Sequence, residues 1–490
     1  MGLQADGLDV HLIDGKLVPA SGGATFETLN PATEEVLGAA ADGTADDVDA
    51  AIGAARRAFD DGGWSTDPAF RARCLRQLRD AMVGHADELR ELTIAEVGAP
   101  RFLTTLAQLD SPVEDLGWAA DLAESYEWRR DLGEASPAGV RSHRWVLKEA
   151  AGVVGAITPW NFPHQINLAK VGPALAAGCT VVLKPAPDTP WAAAALARIA
   201  ATETELPPGV LNVVNGTDHG LGAQLSADPR VDLVSFTGST ATGRKVMASA
   251  AETLKRVFLE LGGKSAFVVL DDADLGAAAA LAAFTACTHA GQGCAITTRL
   301  VVPRALHDDI VEQAAATMAA LGAGDPNDGG TICGPLISAR QRERVEGYLR
   351  LATEEGGTFA TGGGRPADRE RGFFVEPTLI TGLDNSARVA REEIFGPVLT
   401  VIPHDGDEDA VRIANDSPYG LSGAVHSADP ERAWAVARAV RTGTMSVNGG
   451  VWYGGDVPFG GYKASGIGRE MGVAGFEEYL ETKAVAEAVR

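Results

Sequence analysis

The segment GVVGAITPWNFPHQINLAKVGPALAAGCTVVLK, residues 152–184, reads as strand, helix, strand. Val153 to Thr158 is a short β-branched run. His164 to Ala177 has helical composition and stops at Gly178. Thr180 to Lys184 is a continuous apolar run, of the kind a parallel sheet buries on both faces.

The alternation continues on the C-terminal side. Pro190 to Thr204 is an alanine-rich helix with Thr189 placed to cap it and proline at its first position. Pro207-Pro208-Gly209 is a turn, and Val210 to Val214 a strand. A short helix near Leu221 to Ser226, a strand at Asp232 to Phe236 and a helix at Thr240 to Ala251 follow. Arg256 to Glu260 and Ala266 to Leu270 complete the set. Repeated β-α-β units imply an α/β, doubly wound parallel sheet that takes ligands at the carboxyl ends of its strands. Thr44 to Leu92 is mostly helical and covers that sheet. Residues 126–150 alternate charged and apolar side chains around Ser136-Pro137-Ala138-Gly139, which predicts a protruding hairpin. From about 276 to 450 a second alternation, with strands at Leu300 to Val302, Leu399 to Ile402 and Thr444 to Val447, predicts a second α/β domain.

The chain has 490 residues, a hydrophobic fraction of 45% and a formal charge of −24. This acidity disfavours nucleic acid and anionic membranes as partners. The five cysteines, Cys74, Cys179, Cys287, Cys294 and Cys333, show no CxxC pair and no metal-ligand spacing, so no metal is expected and a reducing, cytoplasmic setting is. The N-terminus lacks a signal pattern, and Asp6 disfavours lipidation at Gly2. The alanine-rich run Ala277 to Cys287 is too short to span a bilayer and reads as a core helix.

Two segments carry the chemistry. Leu259-Glu260-Leu261-Gly262-Gly263-Lys264 presents a carboxylate before a double glycine. Ala290-Gly291-Gln292-Gly293-Cys294 presents a thiol after glycine-spaced residues, 34 positions beyond Glu260. A thiol and a carboxylate sharing a pocket suit covalent acyl chemistry, in which the thiolate attacks a carbonyl and the carboxylate later activates water. The strand at Asp232 to Phe236 opens through Thr237-Gly238-Ser239-Thr240 into a helix whose first N–H groups suit phosphate, although the segment is not GxGxxG. Lys184, at a strand's carboxyl end, can reach ribose hydroxyls or phosphate. Glu393 can hold a ribose while Phe395 packs on a nicotinamide. Among the thiols, Cys287 and Cys179 read as buried, Cys333 as a packed loop residue, and Cys74, among arginines on a helix, as solvated.

These segments resemble the aldehyde dehydrogenase superfamily over almost the whole chain. The resemblance rests on Pro159-Trp160-Asn161-Phe162-Pro163, Ala174 to Cys179, Lys184-Pro185-Ala186, Phe236 to Thr240, Glu260 to Lys264, Gly291 to Cys294, Glu393 to Pro397, Pro458 to Lys463 and Ser465 to Glu470. It implies a Rossmann-like cofactor domain (1–127 and 151–261), a second α/β catalytic domain (262–464) and a small β oligomerisation element (128–150 and 465–490). Cys294 is then the nucleophile, Glu260 the general base, and Asn161 a donor to the oxyanion together with the Cys294 N–H. Trp160, Lys184, Gly238, Ser239, Glu393 and Phe395 line the cofactor site, and Phe162 and Phe459 wall the substrate tunnel. The implied reaction is oxidation of a small-molecule aldehyde to its acid with NAD or NADP, by a homodimer or homotetramer.

Departures from the family pattern qualify this. Pro187 replaces a common glutamate that favours NAD, which leaves NADP open, with NAD slightly favoured. His289 stands where many relatives have asparagine; a satisfied core residue or a group that tunes the thiol are both compatible with it. Ala169 replaces a large tunnel residue in some relatives, so a roomier entrance is expected. The branch that passes the acyl group to coenzyme A lacks the base at the Glu260 position, so the carboxylate argues for hydrolysis. A non-catalytic protein on this scaffold would tolerate loss of the thiol, base or amide, and all three are present. Which aldehyde is oxidised is left open.

Overall fold

The computed structural model describes residues 7–489, so Gly2 and Asp6 lie outside the described residues. Five parallel strands form the heart of the first sheet. In spatial order they are Arg256–Glu260, Leu233–Thr237, Val153–Ile157, Thr180–Lys184 and Leu211–Val213. Every residue of Thr180–Lys184 and Leu233–Thr237 is buried, which is why these segments read as unbroken apolar runs. Short antiparallel strands, Gly466–Ile467 at one edge and His11–Ile13 with Lys16–Val18 at the other, close the sheet. Chain order reverses between Val153–Ile157 and Leu233–Thr237, which are spatial neighbours but not sequential. Such a switch point leaves a crevice beyond the strand ends.

Helices cover this sheet as the 44–92 reading expects. Ala45–Asp61 starts with a capping box: Asp47 N donates to Thr44 Oγ1 (3.4 Å) and Thr44 N donates to the Asp47 carboxylate (2.9 Å). Pro68–Gly84 buries the stripe Arg71, Ala72, Cys74, Leu75, Leu78 and Met82. Cys74 is therefore not the solvated residue expected from its arginine neighbours. It is fully buried, and burial pushes its thiol up to about 11. Helical spacing sends Arg73 and Arg76 to the surface, where they pair with Glu205 and with Asp121 and Glu124. Arg71 turns inward and donates to Ala176 O (2.9 Å), satisfying the end of helix Pro163–Ala177.

The second sheet runs Thr358–Thr361, Thr378–Thr381, Val398–His404, Thr297–Pro303, Ser265–Val269, Gly423–His426, Ser446–Val447. Its strands are parallel except for the first. The sequence reading counted Ala266 to Leu270 with the first sheet; Ser265–Val269 belongs to the second, between Thr297–Pro303 and Gly423–His426. Leu261 to Lys264 is thus the crossing from one sheet to the other. The expected hairpin is present as Arg129–Ala135 and Ser142–Ala150, and Leu480–Ala488 adds a third antiparallel strand to it. No helix among the described residues is long and apolar enough to cross a membrane, and no group of three or more potential metal ligands occurs among them.

Candidate active site

Glu260 ends the last parallel strand of the first sheet, and Cys294 lies just ahead of Thr297–Pro303 in the second. The two sheets meet through glycines. A Cβ on Gly263 would sit 2.7 Å from the Cys294 carbonyl oxygen, so the loop after Glu260 lies directly on the thiol's backbone. A Cβ on Gly262 would meet the Glu393 carboxylate at 2.3 Å, and one on Gly460 would meet Glu260 Oε1 at 2.7 Å.

The loop before Cys294 is strained. His289, Ala290 and Gly291 are all left-handed, with φ of 52°, 51° and 70°. For the first two, which carry side chains, this costs about 1–2 kcal/mol each. Tertiary hydrogen bonds offset that cost. His289 N donates to Ile332 O (3.1 Å), Gln292 Nε2 donates to His289 O and Pro335 O (both 3.2 Å), and Ile337 N donates to Gln292 Oε1 (2.9 Å). Gly291 admits no side chain, because a Cβ there would lie 2.0 Å from Gly396 O.

Trp160, Asn161, Gly238, Ser239, Glu260, Cys294, Glu393 and Phe395 all line one cavity of about 440 Å³. It adjoins a second cavity of about 690 Å³ that also touches Trp160, Gly238 and Ser239 and extends to Lys184, Pro187 and Asp188. Both open at the switch point of the first sheet. Of the five cysteines, Cys294 alone among the described residues is not fully buried. Burial nonetheless raises its thiol well above the usual range, and the carboxylates of Glu260, Glu393 and Glu470 add to the rise.

Glu260 is buried, and neither of its carboxyl oxygens has a hydrogen-bonding partner among the described residues. Desolvation raises its pKa well above the ordinary value, and the charge of Glu470 pushes the same way, opposed by Lys170 and Arg469. Lys170 is fully buried; it pairs with Glu470 and donates to Ser235 Oγ (2.8 Å). Asn161 Nδ2 donates to Gln292 O (2.9 Å), which turns the amide toward the thiol loop.

The cavity walls suit a nicotinamide dinucleotide. The helix Thr240–Ala251, capped by Ser239, points its N-terminus at the cleft, as phosphate binding needs. Lys184 Nζ donates to Gly216 O (2.9 Å) and Pro185 O (3.1 Å), leaving one of its three donors for a ligand, and burial lowers its pKa to about 8. Glu393 accepts from Gly263 N (2.9 Å) and keeps its other oxygen for a hydroxyl. The Phe395 and Trp160 rings meet edge to face at 5.5 Å. Phe395 is held at φ 62°, its carbonyl accepting from Gln341 Nε2 (2.7 Å).

Phe162 and Phe459 do not line the 440 Å³ cavity. The Phe162 ring lies 3.7 Å from where a Cβ on Gly293 would sit, and Phe459 stacks on Trp452 at 5.5 Å beside Gly460. Ala169 lines a small open pocket together with Trp118, Leu116, Tyr453 and Met471. Gln108, Gln292, Lys170 and Glu470 join the site without having been singled out. Gln292 and Glu470 fall within quoted motifs, but Gln108 and Lys170 lie in helical or apolar surroundings that advertise no polar role.

The family model described as "Aldehyde dehydrogenase family" matches residues 17–485. The chain is 45% identical to a 3-succinoylsemialdehyde-pyridine dehydrogenase of a Pseudomonas species, over 96% of this chain and 97% of that one. Among solved structures, betaine aldehyde dehydrogenase of Staphylococcus aureus in complex with NAD+ superposes with a TM-score of 0.94 at 36% identity, covering 98% and 95% of the two chains. A cysteine-to-alanine mutant of aldehyde dehydrogenase C from Pseudomonas syringae, with NAD+ and octanal, gives 0.93 at 39% identity, covering 99% and 97%.

Proposed function

The chain belongs to the aldehyde dehydrogenase family, and from that premise we propose that it oxidises an aldehyde to the carboxylic acid with NAD, using Cys294, Glu260 and Asn161. The supporting observation is the single cavity lined by a thiol from one sheet and a carboxylate from the other, continuous with the crevice at Lys184.

The Cys294 thiol gives its proton to solvent water, the resulting thiolate attacks the aldehyde carbon, and the carbonyl π pair moves to oxygen. Asn161 uses one amide hydrogen on Gln292 O and has a second for this oxyanion, beside the Cys294 backbone N–H. Bound NAD supplies the hydride acceptor that turns the thiohemiacetal into a thioester. Glu260 then takes a proton from water as the water oxygen attacks the acyl carbon. The C–S bond breaks, and the thiolate and acid are released. Trp160, Lys184, Gly238, Ser239, Glu393 and Phe395 hold the dinucleotide. The Asp188 carboxylate in the cleft repels a 2′-phosphate and favours NAD over NADP. Phe162 and Phe459 wall the acyl path.

We assign residues 1–127 and 151–261 to the cofactor domain, 262–464 to the catalytic domain, and 128–150 with 465–490 to contacts between copies in a homodimer or homotetramer. The five free cysteines suit the cytoplasm.

The test is a panel of octanal, betaine aldehyde and acetaldehyde against NAD and NADP, with and without coenzyme A. Expected are one NADH and one acid per aldehyde, faster with NAD and independent of coenzyme A. Failure to reduce either cofactor with any aldehyde overturns the reading. Replacing Asn161 with alanine is expected to lower turnover ~10²–10³-fold, as loss of an oxyanion donor does. Unchanged NADH production would remove Asn161 from that role.

A further inference from the structure

We propose that His289 is a positioning residue for Asn161: its imidazole N–H, acting with the Gln108 amide, clamps the Asn161 peptide to the thiol loop and so aims the Asn161 side chain. The inference rests on Asn161 being the oxyanion donor.

His289 is fully buried, and its Nε2 lies 2.9 Å from Asn161 O. A carbonyl oxygen only accepts, so Nε2 carries the hydrogen and Nδ1 is bare. Nδ1 has no partner among the described residues, so the ring is not a fully satisfied core histidine. Gln108 Nε2 donates to the same oxygen from 2.8 Å. The Phe162 ring, next along the chain from Asn161, meets the imidazole edge to face at 5.2 Å.

These contacts join two segments of different origin. Asn161 follows a strand of the first sheet, whereas His289 belongs to the loop that ends at Cys294. The main chain of Asn161 is held by His289, and its side chain by Gln292 O three residues further along that loop. Both ends of Asn161 are therefore referenced to the nucleophile's own loop. Histidine suits the place because, like asparagine, it is among the residues enriched in the left-handed region that position 289 adopts. Burial lowers the imidazole's pKa to about 4, so it stays neutral and remains a single donor at working pH.

Two substitutions separate the donor from the backbone. His289→Asn keeps left-handed tolerance but ends one bond short of Nε2. His289→Gln sets its amide nitrogen as many bonds from the backbone as Nε2. With octanal and NAD, His289→Asn is expected to lose about 10-fold in kcat, less than the ~10²-fold that an ångström of misplacement can cost. KM for NAD should hold, and His289→Gln should recover most of the loss. In an Asn161→Ala background, His289→Asn should cost nothing further, because its effect runs through Asn161. Gln108→Met repeats the test from the other side of the carbonyl and covers the case of a His289 variant that does not fold. A full additional loss in the Asn161→Ala background, or unchanged kcat in a folded His289→Asn (in Gln108→Met where the His289 variant does not fold), overturns the proposal. If Asn161→Ala itself turns over normally, the oxyanion assignment fails as well; if it is impaired while His289→Asn is not, the positioning role alone fails.

Discussion

Cys294→Ala is expected to fold, to bind NAD and to produce no NADH from any aldehyde, with turnover down at least ~10⁴-fold, on the scale seen when a covalent nucleophile is removed. Cys74, Cys179, Cys287 and Cys333 are closed off by packing, whereas Cys294 faces the cavity shared with Glu260 and Asn161. No second sulfur can reach the aldehyde to replace it. Thermal melting checks the fold, and quenching of protein fluorescence by NAD checks the cleft. Intact-mass measurement during turnover should show an acyl adduct on the native protein and none on the variant. Retention of even one hundredth of the native rate would mean that another group attacks the aldehyde.

Glu260→Gln should separate the two halves of the reaction. The amide cannot take a proton from water, so hydrolysis should slow by the ~10²–10⁴-fold that a positioned base contributes. The thiol proton leaves to solvent water rather than to Glu260, so attack and oxidation persist in the variant, and rapid mixing should show a burst of NADH close to one per active site, followed by a stall with the acyl group still on Cys294. The pH dependence has a definite sign. The base acts as the carboxylate, and burial together with Glu470 raises its pKa above the ordinary value. Wild-type turnover should therefore be full at alkaline pH and fall as pH drops through that raised pKa, and the Gln variant should lose this limb. A variant with neither burst nor adduct would place Glu260 before oxidation instead.

Much of the site is written in local patterns. The β-α-β rhythm from residue 153 to 260 is legible because its central strands are buried on both faces and the helix Pro163–Ala177 stops at Gly178. Where the reading failed, the deciding contacts were distant. Ser265–Val269 has the same apolar character as the strands before it, and a crossing as short as Leu261 to Lys264 leaves no compositional mark of a change of sheet. Cys74 looked wet because its arginine neighbours were read as one cluster, although helical spacing divides them between faces. The clamp on Asn161 was unreadable because Gln108 lies 53 positions away and belongs to no motif.

The carboxylates around Cys294 also bear on how the protein ages. Peroxide consumes thiolates far faster than thiols. With burial first, and Glu260, Glu393 and Glu470 after it, discouraging ionisation, an idle molecule keeps its sulfur capped by a proton and resists that damage. Exposure to oxidants then becomes a hazard of work rather than of waiting, and a stored preparation should outlast one left cycling.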